Sequence, residues 1–378
     1  MVSVINPFFV SGKIPEEYFC DRVEEAKTLR HSIDNQMNVV LTSPRRMGKT
    51  ALVDYVFDNN KVNDDYIVVS VDILHTTTLR EFIFALGTAV FECVASQSLR
   101  LRKKFVSVIK SLSASFGYDP VRNMPTFDIK LGDILQPDFT LGEIFGYLES
   151  VNKRCVVVID EFQQITIYPE KNVEALLRSH IQKLTNTNFV FSGSRRRLME
   201  EMFFSSKRPF FQSAKSLRLE PICQDTYRTF AQNNFEIAEK KLSSQAFDEA
   251  YNVFQGVTFY VQRIMKEAFA ITRPSEECDI DSVKKIIDDY IDENDSRLRE
   301  QLAFITESQK EVLYAVHEAG FAQNILSSAF NKKYRLRSPS STQSAANKLL
   351  DYDLITKSEN GYSISDPLLD LWLSRKQF

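Results

Sequence analysis

Gly48, Lys49 and Thr50 carry the first chemical signal in the sequence, because they close the segment Ser43–Thr50, SPRRMGKT. The spacing is that of a P-loop, GxxxxGK[ST], with Ser43 standing where the first glycine belongs. In such a loop Gly48 lets backbone N–H groups close around phosphate oxygens, Lys49 reaches the β- and γ-phosphates, and Thr50 offers its hydroxyl to Mg²⁺. The expected nucleotide contacts are Ser43, Pro44, Arg45, Arg46, Met47, Gly48, Lys49, Thr50 and Ala51, with Lys49 also acting in catalysis. If the backbone at Ser43 is left-handed, the missing glycine costs roughly 1–2 kcal/mol.

A second signal lies at Cys155–Glu161, CVVVIDE, an apolar run ending in two carboxylates. Downstream of a P-loop this reads as a Walker B strand, with Asp160 supporting Mg²⁺ and Glu161 polarising the attacking water. Away from a P-loop the same run would read as a buried strand entering an acidic surface turn. Asn188–Ser194, NFVFSGS, ends another apolar run in small polar residues. Ser192 and Ser194 are candidates to sense the γ-phosphate there, with a plain strand-end turn as the alternative. Arg195, Arg196, Arg197 and Arg208 follow, either as a solvated helix face or with one member serving as an arginine finger.

These residues need a scaffold, and the hydrophobic pattern supplies one. Asn38–Thr42, Tyr66–Asp72, Cys155–Asp160 and Asn188–Ser192 are short, nearly continuous β-rich runs, the pattern of strands buried on both faces of a parallel sheet. A helix is predicted over Lys49–Phe57, so the P-loop joins a strand to a helix and gains the helix N-terminal dipole. Strands alternating with helices predict an α/β core over roughly residues 35–220, with a polar interruption around Ser115–Gln136 inside a mostly helical stretch. After Pro221 helical periodicity dominates, clearest at Tyr227–Ile237, Ser244–Gln255 and Asp281–Ala303. Helices at Glu307–Ala319, Asn324–Phe330 and Ser341–Leu350, then β-like LITKS and GYSIS around Glu359–Asn360–Gly361, give the order of a winged helix-turn-helix.

At 378 residues the chain predicts two or three domains. Its 43% hydrophobic and 26% charged residues match ordinary globular usage, which argues against disorder. A formal net charge of -3 provides no overall field toward nucleic acid or an anionic membrane. The five cysteines are widely spaced with no CxxC pairing, which argues against both a disulfide framework and a zinc site and favours a reducing compartment. No run of about 18 apolar residues and no basic-then-apolar leader is visible, so a cytoplasmic protein with no membrane partner is expected.

Taken together, FCDRVEE at Phe19–Glu25, SPRRMGKT, CVVVIDEFQQI and FSGSRRRLMEEMF resemble the archaeal-type ATPase family, a STAND-like branch of the AAA+ P-loop NTPases. GVTFYVQ at Gly256–Gln262 is similar to that family's helical lid, and SQKEVLYAV, SPSSTQSAANKLLDYDLI and YSISDPLLDLWL are similar to its winged helix, so the resemblance spans nearly the whole chain. It implies an α/β P-loop NTPase core of the AAA+ type over residues 1–220, a helical lid over 221–302 and a winged helix over 303–378, with ATP and Mg²⁺ as ligands. By position the adenine-side signature hhGRxxE falls on Phe19–Glu25, with Arg22 and Glu25 matching and Asp21 replacing glycine. Phe19 and Arg22 are then adenine-side contacts. Thr258 stands where the lid often has proline, Phe259 where origin-recognition relatives carry the sensor-2 arginine, and Ser213 where an arginine is often found. These departures bear on γ-phosphate sensing and fast turnover more than on nucleotide binding.

Three functions are consistent with this reading. The first is an ATP-driven switch, alternating between ATP and ADP, whose winged helix reports its state to a protein partner. The second is a DNA-associated protein, with Lys332, Lys333, Arg335 and Arg337 touching phosphates ahead of a recognition helix that carries Thr342, Gln343, Asn347 and Lys348. The third is a nucleotide-binding scaffold with negligible hydrolysis. Trp372, within Leu368–Leu373, reads as winged-helix core.

Overall fold

The structure is a computed structural model and describes residues 5–57, 66–112, 116–119, 124–127, 129–358 and 361–376. Its internal contacts divide the chain into two units, Ser11–Glu220 and Met1–Val10 with Pro221–Phe378.

The unit Ser11–Glu220 runs α1 (Val23–Asp34), β1 (Val39–Thr42), α2 (Lys49–Phe57), β2 (Tyr66–Asp72), α3 (Leu79–Gln97), α4 (Leu99–Val108), β3 (Phe116–Asp119), β4 (Met124–Phe127), α5 (Pro137–Ser150), β5 (Arg154–Asp160), α6 (Val173–Ile181), β6 (Thr187–Gly193), α7 (Arg196–Phe204) and β7 (Lys215–Arg218). Five of its strands form one parallel sheet in the order β2-β5-β6-β1-β7. The continuous apolar runs are explained by alternation between two covered faces. Along β5, Cys155, Val157 and Ile159 join one core cluster with residues of α3, α5, α6 and α7, while Val156 and Val158 join the other with residues of α1 and α2. Phe189 and Phe191 of β6 enter the first cluster and Val190 the second.

Two features of this unit were not expected. The edge strand β7, KSLR, buries only Leu217, so it lacks the apolar run that marked the inner strands. Within the polar interruption, β3 and β4 pair antiparallel, Phe116 opposite Phe127. Ser115 and residues 120–123 lie outside the described residues.

The second unit contains α8 (Gln224–Ile237), β8 (Lys241–Leu242), α9 (Ser244–Val253), α10 (Thr258–Ile271), β9 (Glu277–Cys278), α11 (Ile280–Glu293) and α12 (Asp295–Ala303). Next come α13 (Glu307–Ala319), α14 (Ser328–Lys333), α15 (Pro339–Asp351), β10 (Ile355–Lys357), β11 (Tyr362–Ile364) and α16 (Pro367–Arg375). The start of the chain departs from a core spanning residues 1–220: Phe8 is fully buried against Phe230, Phe235 and Phe269, and Asn6 Nδ2 donates to the Lys266 carbonyl. The helix read over Asp281–Ala303 is two helices. They are broken at Asn294, whose ψ of 0° leaves the helical region and whose side-chain amide donates to the Tyr290 carbonyl. The second winged-helix helix begins at Ser328 rather than Asn324, because the Ser327 hydroxyl accepts the Phe330 N–H as an N-cap.

Three helices and the β10–β11 antiparallel pair form the winged helix, with Glu359 and Asn360 of its tip outside the described residues. Trp372 on α16 is buried and donates to Asp295 Oδ1 at 2.8 Å, as its core reading required. No described helix is long and apolar enough to cross a membrane.

Candidate functional site

The P-loop runs from the C-terminal end of β1 to the N-terminus of α2, the place where a parallel strand hands the chain to a helix whose first N–H groups lack intrahelical partners. Ser43 is fully buried and is absent from the residues at positive φ, so its substitution for glycine carries no left-handed strain. The left-handed positions are instead Arg46, at φ 68°, and Gly48, at φ 88°. At Gly48 a side chain would meet no atom within 4 Å, so backbone conformation alone favours glycine there. The Ser43 hydroxyl donates to the Pro44 carbonyl at 2.9 Å, and its oxygen lies 3.4 Å from Lys49 Nζ, which is itself 3.5 Å from the Ser43 carbonyl. The serine thus helps hold the lysine over the loop. Pro44, Arg45, Arg46 and Thr50 are exposed, Met47 and Lys49 are buried, and Gly48 and Ala51 are half-buried.

β6 lies between β1 and β5, and this spacing assembles the rest. Leu41 of β1 pairs with Ser192, and Ile159 of β5 pairs with Phe191, so Ser192 is set between the P-loop strand and Asp160. Asp160 is the hub: Oδ1 accepts from the Ser192 hydroxyl at 2.7 Å and from the Glu161 N–H at 3.0 Å, while Oδ2 accepts from Thr50 Oγ1 at 3.3 Å. The hydroxyl and carboxylate read from the sequence as metal ligands therefore meet between the first turn of α2 and the end of β5. The Ser192 hydroxyl, a candidate γ-phosphate sensor from the sequence, donates its proton to Asp160. Glu161 adopts φ 55°, ψ 41°, and its Oε2 accepts from the Ser194 hydroxyl at 2.7 Å and from Gln163 Nε2. Gln163 was not singled out from the sequence. It follows the carboxylates by two residues in CVVVIDEFQQ, but only the 3₁₀ turn at Phe162–Ile167 folds it back onto Glu161.

The adenine-side signature takes a structural role in part. Asp21 and Arg22 have φ of 56° and 65°. The glycine that Asp21 replaces belongs to a left-handed position, where aspartate is among the tolerated substitutes. Arg22 is buried, pairs with Glu25 at 2.9 Å and brings its other terminal nitrogen to 3.5 Å from the Met47 carbonyl, so its guanidinium braces the P-loop. The ring of Phe19 stacks on Tyr55 of α2 with centroids 4.1 Å apart. Burial, with the Asp21 charge second, pushes the neighbouring Cys20 thiol up to about 12, which keeps it protonated and unreactive.

The basic segment divides. Arg208 lies 2.5 Å from Glu174 and 3.7 Å from Glu201, and Arg196 lies 2.6 Å from Glu200. Burial pushes the Glu174 carboxyl up while the Arg208 charge pulls it down, so this pair is a packed structural contact. In the second unit, Phe259 packs edge-on against Tyr260 near the start of α10. Ser213 donates to the Phe210 carbonyl. In the winged helix Lys332, Lys333, Arg335 and Arg337 are exposed, but Thr342 is buried and donates to Asn331 Oδ1 at 2.6 Å, and Gln343 bonds Asn347.

Residues 19–264 match the family described as an ATPase domain predominantly from Archaea, and residues 297–375 match a probable winged helix domain. Among solved structures the chain is similar to the Walker-type ATPase PABY2304 of Pyrococcus abyssi, at 18% identity, 97% of this chain, 99% of that one and a TM-score of 0.68. The ORC2 protein of Aeropyrum pernix in ADPNP–ADP complexes aligns at 14% identity over 98% of each chain with a TM-score of 0.58. The ORC1 protein of Aeropyrum pernix in complex with DNA aligns at 12% identity over 94% of this chain and 93% of that one with a TM-score of 0.51. No curated protein matches the sequence. At such identities the likeness establishes a shared fold, and the expected P-loop α/β core and winged helix are borne out.

Proposed function

The chain belongs to the family of ATPase domains found predominantly in Archaea, and we propose that it binds ATP with Mg²⁺ on the Ser43–Ala51 loop and hydrolyses it slowly. The observation that carries this reading is the meeting of Thr50 Oγ1, in the first turn of α2, and Asp160 Oδ2, at the end of β5, at 3.3 Å, although β1, which leads into the P-loop, and β5 are not neighbours in the sheet. Both are hard oxygen donors, which fits Mg²⁺. Among the described residues no group of three or more His, Cys, Asp or Glu is placed to hold a metal ion, so phosphate oxygens and water would complete the shell. When bound, Mg²⁺ would neutralise charge on the β- and γ-phosphates.

The protein's own residues supply the rest. Backbone N–H groups of the loop and α2 hold the phosphates, Lys49 stabilises charge building on the transferred phosphoryl group, and Glu161 accepts the proton of the attacking water. Ser192 fixes the carboxylate of Asp160 for the metal. Phe259 in place of a lid arginine supports slow rather than fast turnover. ATP and ADP states would then act as a switch that the winged helix passes to a protein partner. A protein partner is favoured over DNA because Thr342 of the helix that would read DNA is turned inward onto Asn331. A DNA role requires salt-dependent binding that is lost when Lys332, Lys333, Arg335 and Arg337 are replaced.

The test compares ATP affinity, with and without Mg²⁺, and single-turnover hydrolysis in wild type, Lys49→Ala and Glu161→Gln. Lys49→Ala is expected to lose affinity at least about tenfold by removing a charge-assisted phosphate contact. Glu161→Gln is expected to keep affinity and lose about a hundredfold or more in rate. Unchanged tight ATP binding by Lys49→Ala would refute the site.

A further inference from the structure

The two carboxylate oxygens of Glu161 have different surroundings. Oε2 accepts from both the Ser194 hydroxyl, at 2.7 Å, and the Gln163 side-chain amide, at 2.5 Å. Oε1 has no hydrogen-bond partner among the described residues, on a side chain that is half-buried and open to water. The donors arrive from different elements. Ser194 follows directly on β6, and Gln163 lies in the 3₁₀ turn that begins at the left-handed Glu161 and is closed by the Gln164 N–H to the Glu161 carbonyl at 2.9 Å.

Packing does not account for Gln163. The residue is only 3% exposed, and its Oε1 is buried with no partner. A leucine or methionine of similar volume would fill the space without burying an unpaired acceptor. The amide is also tightly confined, since a Cβ added at Gly193 would lie 2.5 Å from that same Oε1. Glycine at position 193 therefore makes room for an amide whose single hydrogen bond, among the described residues, is to Glu161.

We propose that Gln163 and Ser194 are positioning residues that fasten Glu161 Oε2 and so present Oε1 to the attacking water. As the water oxygen bonds to the γ-phosphorus, the bond from that phosphorus to the β–γ bridging oxygen breaks with its electron pair leaving on ADP, and the water proton passes to Oε1. Ser194, read from the sequence as a γ-phosphate sensor, instead acts through Glu161. The inference rests on the reading of Glu161 as the base.

The experiment measures single-turnover hydrolysis and ATP affinity of the full chain for wild type, Gln163→Leu, Ser194→Ala and Ser194→Thr, each also in a Glu161→Gln background. Loss of orientation is expected to slow Gln163→Leu and Ser194→Ala about tenfold or more. Affinity should stay within about twofold, and Ser194→Thr, which keeps the hydroxyl, should restore most of the rate. In the Glu161→Gln background the same substitutions should change the residual rate by less than about twofold, because their effect runs through the carboxylate. Ser194 is half-buried, so Ser194→Ala carries the test if Gln163→Leu does not fold. Wild-type rates in both variants, or equal slowing in the Glu161→Gln background, overturn this proposal alone. Wild-type rates in Glu161→Gln itself, or no hydrolysis by wild type, overturn the base reading and this inference with it.

Discussion

Gly193→Ala probes the packing beneath the site directly. The added methyl would lie 2.5 Å from Gln163 Oε1 and 2.7 Å from both Cγ and Sδ of Met199, against about 3.5–4.0 Å for an unstrained contact. Met199 is fully buried and Gln163 nearly so, so neither side chain can swing into solvent. Overpacking of this kind costs about 1–3 kcal/mol. For a unit the length of Ser11–Glu220, at about 2–4 °C per kcal/mol, that lowers the melting temperature by roughly 2–12 °C. The assay is thermal unfolding followed by calorimetry, alongside single-turnover hydrolysis, which should fall because the displaced amide releases Glu161. Gly146→Ala is the control. It lies exposed in α5 with no atom within 4 Å of the new methyl, and should stabilise by about 0.5–1 kcal/mol through helix propensity. A Gly193→Ala protein melting within about 1 °C of wild type with an unchanged rate would refute the close-packing argument.

Other outcomes follow from the same structure. Asp295 is held well below the usual carboxylate range by hydrogen bonds from Arg299, Trp372 and Lys376. A depressed carboxylate contributes stability that is present above its unfolded value of about 3.9 and is lost as pH falls toward the folded one. Asp295→Asn should therefore flatten the acid limb of a stability–pH curve below about pH 4, followed through the fluorescence of Trp372, the chain's one tryptophan. Phe191 is fully buried, with ring centroids 4.6 Å from Phe162 and 5.0 Å from Phe203. Phe191→Ala should cost about 3–5 kcal/mol, read as a lower urea midpoint.

Much of the scaffold could be read from local pattern. CVVVID announced a strand covered on both faces, because its alternate residues feed two core clusters. Helix α13 was legible at both ends: Thr306 and Gln309 form a reciprocal capping box at its start, and Gly320 follows its last residue, Ala319. β7 was not legible, since an edge strand burying one leucine leaves no periodic trace. The break at Asn294 was also hidden, because the apolar periodicity continues across it.

For the site, the sequence supplied the residue types on which the proposed chemistry rests: Gly48, Lys49 and Thr50 in a loop, and Asp160 and Glu161 at the end of an apolar run. Those assignments depend on residue type and short spacing, which one strand–loop–helix step translates into space. Tertiary structure decided the connections. Only the placing of β6 between β1 and β5 turned Ser192 toward Asp160 and Ser194 toward Glu161, and only the 3₁₀ turn brought Gln163 back onto the same carboxylate. Strand order and turn type arise from contacts between distant segments, so no local spacing in the sequence encodes which oxygen of Glu161 is left facing water.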